Sequence, residues 1–296
     1  MNLPEATDAQ IRTIRVAAVL DWGVPHLRTL PWRQTRDPWA ILVSEVMLQQ
    51  TQAERVVPKW HAFLERFPDP TTCGVAPLGD VLRLWQGLGY PRRARNLHQA
   101  ARAIADTLET TGRFPDDLPS LLTLPGVGPY TARAVLAFAF ESDAAVADTN
   151  IARVYARLAG QKLTAREVQN FADAHLPPGR SWEWNQALMD LGATLCRPIP
   201  ECFECPLKPT CRWASSNGDT DPAIGTAGVS ARQARFEGSD RQARGRLLKA
   251  LTAGSISRPA AAEIMGRDAQ TAERLIASLV ADGLCHATPG RIALPT

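Results

Sequence analysis

Four stretches of this chain carry side chains whose type and spacing could do chemistry. In ILVSEVMLQQTQ, residues 41–52, a glutamate interrupts a segment that is otherwise apolar almost all round. At about 100° per residue, Glu45, Gln49 and Gln52 share one narrow stripe, flanked by Ile41 and Leu48 on one side and Leu42 on the other. Such a stripe reads as a satisfied polar network, as a solvent face, or as the wall of a cleft. In a cleft, desolvation favours the neutral acid and makes Glu45 a candidate proton donor. In AVADTNIARVYARL, Asp148 precedes a helical run as a natural N-cap whose carboxylate could also face a cleft. In LPGVGPYTARAV, two helices meet at Gly126, Val127 and Gly128, either as a tight turn or as backbone N–H groups set to hold a phosphate. Four of the six cysteines, Cys196, Cys202, Cys205 and Cys211, follow the pattern C-x5-C-x2-C-x5-C. In a chain without secretory features that cluster favours metal over disulfides, and its single C-x2-C knuckle suits either zinc or a [4Fe–4S] cluster. Cys73 and Cys285 stand alone and read as small buried side chains.

The elements that must position these groups are helical. Residues 8–195 show helical spacing broken by Pro and Gly, and the motif DPWAILVSEVMLQQTQAERVV opens with Asp37 as N-cap and Pro38 at N1. Further helices are expected over 58–66, 78–86, 92–108, 117–123, 129–140, 149–158, 164–174 and 182–193. Residues 214–240 have a linker composition rich in Gly, Ser, Ala and Thr. Beyond them, three short helices and two strands around a Pro-Gly turn suggest a winged helix over 241–296.

Composition agrees with a globular protein: 296 residues, 45% hydrophobic and 21% charged. No run of about 18 apolar residues suggests a membrane span, and the N-terminus lacks the layout of a secretory signal, so a cytoplasmic location is expected. The net charge of +3 does not announce nucleic-acid binding. YPRRARN is a local basic patch, readable also as an ordinary solvated helix start.

The phrases LPWR, SEVMLQQTQ, GLGYPRRARNLH, LPGVGPYTARAV, ADTNIARV and NQALMDLGA, in this order, resemble the helix-hairpin-helix DNA glycosylases of the endonuclease III superfamily. Within it the match is nearest to the adenine-specific MutY branch. The resemblance covers roughly residues 10–213 and implies a mainly α fold, a six-helix barrel with an iron–sulfur cluster domain. The barrel would span about 30–140. The cluster domain would combine the N-terminal helix with about 141–213. A linker, 214–240, and the winged-helix-like appendage, 241–296, would follow.

By the same resemblance, the target base is flipped into a pocket between barrel and cluster domain. Glu45 donates a proton to the adenine ring and Asp148, as carboxylate, stabilises the developing sugar cation. Tyr130 stands where strand-cutting relatives carry a Schiff-base lysine, which implies a monofunctional enzyme that leaves an abasic site. Tyr130 would hold the active-site carboxylates. Asn150, counted with it among the catalytic residues, and Arg33 would be further pocket residues, with Gln49 nearby. Gln50 and Tyr90 would wedge into the duplex, with Arg92 beside them, and Gly126, Val127 and Gly128 would bind phosphate. The four cysteines would hold one [4Fe–4S] cluster, ordering the loop PLKPT against DNA.

The implied partner is double-stranded DNA with adenine opposite 8-oxoguanine or guanine, bound by a nucleoid-associated monomer. Two features depart from the family pattern. The first two cysteines are one residue closer than in many relatives, and residues 241–296 are too short for the usual C-terminal lesion-recognition domain. The short form resembles actinobacterial members. Rival readings are a thymine or uracil mismatch glycosylase of the same superfamily and a non-catalytic cluster-bearing DNA regulator. The first has less need of a protonating glutamate, and the second predicts loss of Glu45 or Asp148.

Overall fold

The computed structural model describes residues 7–216, 220–229 and 235–296. Residues 1–6, 217–219 and 230–234, which include parts of the expected N-terminus and linker, lie outside the described residues. The chain forms two compact units: Met1–Ile41 with Asp116–Leu118 and Gly128–Arg232, and Leu42–Pro115 with Pro119–Val127 and Gln233–Thr296. No helix among the described residues is long and apolar enough to cross a membrane.

In the first unit, α1 (Asp8–His26) starts at a capping box made by Thr7 and Gln10. After Pro129 at its first turn comes α8 (Pro129–Ala139). The next helix, α9 (Thr149–Ala159), runs from the N-cap Asp148 to Gly160 in the left-handed region. A second capping box, Thr164 with Glu167, opens α10 (Ala165–His175), and α11 (Ser181–Thr194) completes the set. Val19, Leu20, Ile151, Tyr155, Trp184 and Leu188 form the core between them. The close approach of α1 to α11 needs Gly23, where a Cβ would lie 2.3 Å from that of Ala187.

The second unit holds most of α2 (Pro38–Leu48) and α3 (Ala53–Arg66), α4 (Pro70–Val75), α5 (Leu78–Leu84), α6 (Arg92–Thr111) and the end of α7 (Leu118–Leu122). Asp37 caps α2, its Oδ1 accepting from the Ala40 amide at 2.8 Å. The opening helix stops at Leu48, short of the continuous run expected from its apolar spacing. Gln50 takes φ 57, and α3 begins only at Ala53. Gln52 therefore leaves the stripe that Glu45 and Gln49 begin. A polar QQTQ run supplies no apolar side chains to continue a buried helix.

To the same unit belong α12 (Asp240–Ala253), β1 (Ile256–Ser257), α13 (Ala260–Met265), α14 (Ala269–Ala281), β2 (His286–Ala287) and β3 (Arg291–Ala293). The strands form an antiparallel sheet in the order β1–β3–β2, with Ile292 opposite both Ile256 and Ala287. The sequence indicated the three helices and the hairpin; β1, two residues long, is below what alternation can reveal.

Residues 220–229 depart from a free linker. Arg157 pairs with Asp221 at 2.6 Å, the Ala227 amide donates to the Leu163 carbonyl at 3.0 Å, and the Thr149 hydroxyl donates to that of Gly228 at 2.6 Å. Small side chains made this stretch look like a linker, yet they equally let a backbone lie close against a packed surface.

Candidate functional site

In the first unit, a buried asparagine sets the entry to α9. Asn185 on α11 donates to the Ala144 carbonyl at 2.9 Å and accepts from the Val146 amide at 3.0 Å. That pins the extended segment leading to Asp148. One Asp148 oxygen accepts from the Ile151 amide at 2.7 Å and the other from Asn150 Nδ2 at 3.0 Å. Asn150 Oδ1 accepts from Arg153 Nη2 at 2.8 Å, and Arg153 also donates to the Gly192 carbonyl at 2.7 Å and the Cys196 carbonyl at 2.6 Å. The relay demands a bare position 192, where a Cβ would fall 2.7 Å from that of Asn150. Burial pushes the Asp148 carboxyl above the ordinary carboxylate range, against the pull of the Ile151 amide, the Asn150 donors and the Arg153 guanidinium.

Tyr130 is the second residue of α8 and half-buried. Arg33 is 9% exposed, and its guanidinium grips Asp190 with both Nη atoms, at 2.7 and 2.9 Å. Arg28 joins through Nε at 2.6 Å. Against burial, which alone would raise it, these two arginines hold Asp190 below its ordinary range. The structure thus gives Arg33 an internal anchoring task. A bidentate pair with a fully buried partner leaves the fork engaged on both nitrogens.

All four expected cysteine ligands line one cavity, together with Arg157, Pro200, Lys208 and Trp213. Arg157, 1% exposed, donates to Cys196 Sγ at 3.3 Å, and its guanidinium lies 4.8 Å from the Trp213 ring centroid. The Cys211 thiol reaches the Arg157 carbonyl at 3.3 Å. Among the described residues no three His, Cys, Asp or Glu side chains are arranged as ligands of a single ion. Four soft donors around one small cavity, beside a buried cation that offsets thiolate charge, fit a multi-iron cluster. The loop after Cys196 exposes Ile199 and Phe203 at 84% and 92%. Lys208, in the PLKPT loop, lies with its Nζ 5.6 Å from the Phe203 ring centroid.

In the second unit, Glu45 is 5% exposed on a helix whose Leu42, Val43, Val46 and Met47 are all buried. Gln49 is half-buried and Gln50 exposed. Gln50 and Tyr90 both take positive φ, 57° and 47°, a conformation that costs a side-chain-bearing residue about 1–2 kcal/mol. One buried arginine joins these two turns. Arg93 donates to the carbonyls of Val46, Met47, Leu88 and Gly89 and to the Thr51 hydroxyl, all within 3.2 Å. Burial lowers its guanidinium to about 10, still cationic at neutral pH. Arg92, the neighbour expected to face DNA, is paired with Asp282. At the hairpin, Gly126 has φ 78, and a Cβ there would lie 2.7 Å from that of Asn96; Val127 is buried, its amide bonded to the Leu124 carbonyl at 3.1 Å. Gly128 is the N-cap of α8.

A family model described as HhH-GPD superfamily base excision DNA repair protein matches residues 43–178. The chain is 41% identical over 307 aligned residues to the adenine DNA glycosylase of Mycobacterium tuberculosis (strain CDC 1551 / Oshkosh), covering 99% of this chain and 97% of that one. The chain belongs to the adenine DNA glycosylase family. Among solved structures it is similar to a thermostable thymine-DNA glycosylase, at 30% identity and TM-score 0.66 over 70% of this chain and 97% of the other. A non-covalent endonuclease III–DNA complex follows at 25% identity and TM-score 0.61, over 71% and 97%.

Three residues that hold these segments in place escaped the sequence reading, Arg153, Asn185 and Asp190, and a fourth, Arg93, was read only as part of the basic patch YPRRARN. All four lie inside quoted motifs, so a signal existed in GLGYPRRARNLH, ADTNIARV and NQALMDLGA. Which members of a motif face inward is decided by packing.

Proposed function

We propose that this chain is a monofunctional DNA glycosylase that removes adenine opposite 8-oxoguanine or guanine. The observation that carries the reading is likeness at 41% identity, over nearly the whole length of both chains, to an adenine DNA glycosylase. The likeness to the thymine-DNA glycosylase is lower and leaves 30% of the chain unaligned.

In the proposed reaction Glu45 gives its proton to N7 of the flipped adenine. The C1′–N9 bond then breaks with its electron pair going to the base, which leaves neutral. The sugar passes through an oxocarbenium-like state, as in glycoside hydrolysis. Asp148, as carboxylate, stabilises that cation, its oxygens held by the Asn150 side-chain amide and the Ile151 backbone amide. Water adds to C1′ and returns a proton to the protein. A tyrosine at 130 cannot form a Schiff base, which supports release of the base without strand cutting. Cys196, Cys202, Cys205 and Cys211 would hold a [4Fe–4S] cluster, and that cluster would cross-link the 196–211 segment. Gln49, Gln50 and Tyr90 would meet the duplex around the lesion, and the Gly126–Gly128 turn a backbone phosphate. Residues 241–296 form a winged-helix unit in this reading.

The test is single-turnover base release from duplexes with A opposite 8-oxoguanine, G or T, and with T or U opposite G, followed by alkali. Adenine release, fastest opposite 8-oxoguanine and with strands cut only by alkali, is expected. Release of T or U instead would move the chain's activity to the thymine branch. Anaerobically purified protein should show the broad visible absorption of an iron–sulfur cluster; bound zinc without it would overturn the cluster assignment.

A further inference from the structure

The C-terminal helices reach back to the turn that carries Tyr90. Asp282, at the end of α14, takes Arg92 of α6 on one carboxylate oxygen and Arg244 of α12 on the other. Its backbone carbonyl accepts from Arg95 at 2.6 Å. The Gly79 amide donates to the Pro295 carbonyl at 2.9 Å, and Arg83 Nε to that of Thr252 at 3.3 Å. Trp85, Pro91, Leu248 and Leu294 line a small apolar cavity along the same contact. This docking brings the second residue of α12 over Tyr90. Arg241 Nη1 donates to the Tyr90 hydroxyl at 3.0 Å, and its guanidinium lies 5.8 Å from that ring and 5.1 Å from the ring of Phe236. Arg93 lies 5.7 Å from the Tyr90 centroid.

Tyr90 is thus held at its backbone by a strained turn and at its phenol by a residue 151 positions later in the chain. The Arg241 contact adds to whatever else restrains the ring and fixes the hydroxyl end of it. A ring fixed in advance loses less freedom when it enters a partner. We propose that Arg241 is a positioning residue for Tyr90, so that the C-terminal segment from α12 onward tunes recognition of the mispair by bracing the wedge. The inference rests on the reading above that Tyr90 enters the duplex.

The test uses the full-length protein, Arg241→Leu and Arg241→Lys, each alone and with Tyr90→Ala. Binding would be measured to an A:8-oxoguanine duplex carrying 2′-fluoro-adenosine, which resists cleavage, and to a matched duplex. Arg241→Leu should reduce the preference for the mispair about 5- to 10-fold, a part of the combined strength of one charged hydrogen bond and a cation–π contact, because only the ordering of the ring is felt in binding. Single-turnover release at saturating enzyme should stay within about twofold, because the brace acts on binding and not on proton transfer. Arg241→Lys, which keeps donor and charge, should recover most of the loss. In the Tyr90→Ala background, Arg241→Leu should add nothing. Only three tyrosines exist in the chain, so 3-fluorotyrosine labelling gives three ¹⁹F lines, and the Tyr90 line in the free protein should broaden or shift in Arg241→Leu.

An additive loss with a salt dependence shallower by about one charge would mean that Arg241 binds a phosphate directly, and would overturn the brace. A Tyr90→Ala effect without any Arg241→Leu effect would overturn it too, while leaving the wedge in place. If Tyr90→Ala changes nothing, the wedge reading itself fails and takes the inference with it.

Discussion

Asp148 sits in a hydrogen-bond relay that runs through Asn150 and Arg153 to the backbone of Cys196, whereas Glu45 sits on a helix whose neighbours are buried apolar groups. At Asp148 the donors oppose a burial that on balance still raises the carboxyl, and they are what favours the ionised form that the proposed reaction asks of it. A carboxylate that must stay ionised in a desolvated place needs donors, and Asp148 has them from a helix start and from a side-chain amide. A carboxyl that must arrive with its proton is favoured by apolar surroundings. The second unit fixes its parts by another route. Its two positive-φ turns, at Gln50 and Tyr90, are joined by the single buried guanidinium of Arg93.

Exchanging chemistry for shape breaks this comparison most severely at Glu45. Glu45→Gln keeps the volume and removes the proton, so base release should fall on the order of 10³–10⁴-fold with duplex binding nearly intact. Persistent turnover would remove Glu45 from the role of acid.

Asp148→Asn should lower release on the order of 10²–10³-fold. Its stability effect has the opposite sign. Burial raises this carboxyl in the folded chain, so folding is favoured by its protonated form and that contribution diminishes as pH rises through the folded value. An asparagine still caps α9 and carries no charge, so the melting temperature at neutral pH should hold or rise. A clear drop would mean that the donors outweigh burial.

Arg93→Met should cost about 3 kcal/mol in denaturant unfolding, because carbonyls of two turns lose their donor together. It should also weaken mispair binding more than Arg92→Met, which leaves Arg95 and Arg244 holding Asp282. Equal effects of the two would show that the turns need no common pin.

The last effect, absent at neutral pH and felt only in acid, concerns the packing behind the relay. His175 is buried, with Nδ1 donating to the Phe171 carbonyl at 2.9 Å and Nε2 accepting from Arg15 at 3.3 Å. Burial, with help from Arg15 and Arg12, lowers it to about 4. Between an unfolded value of about 6.5 and that folded value the unfolded chain binds the extra proton, so stability should fall by up to ~3 kcal/mol as pH drops across the window. His175→Gln should flatten that slope. A slope unchanged by the substitution would assign the acid sensitivity elsewhere.

Most of the helix order was legible in the sequence because caps and apolar spacing are local. Asp37, Thr164 and Asp148 each cap a helix close to where the pattern suggested. The break at Leu48 and the six-residue α4 were not legible, since each is shorter than the window over which periodicity is read. Cys73 and Cys285 were read as small buried side chains, and burial pushes their thiols up to about 12 and about 11, far from reactivity.

By itself the sequence determined which residue types could do this chemistry: a glutamate in an apolar helix, an aspartate at a helix start, a tyrosine after a Gly-Val-Gly turn, and four cysteines in sixteen residues. Their intervals along the chain sufficed, because a proton donor, a cap and a thiolate are recognised by type and local spacing. Only the tertiary structure decided that Arg33 anchors Asp190, that Arg93 and not Arg92 pins the strained turns, and that residues 220–229 pack within the first unit. It also decided that Arg241 covers Tyr90. An arginine is long and has five donors, and which acceptors it reaches depends on backbones that meet only when distant segments pack.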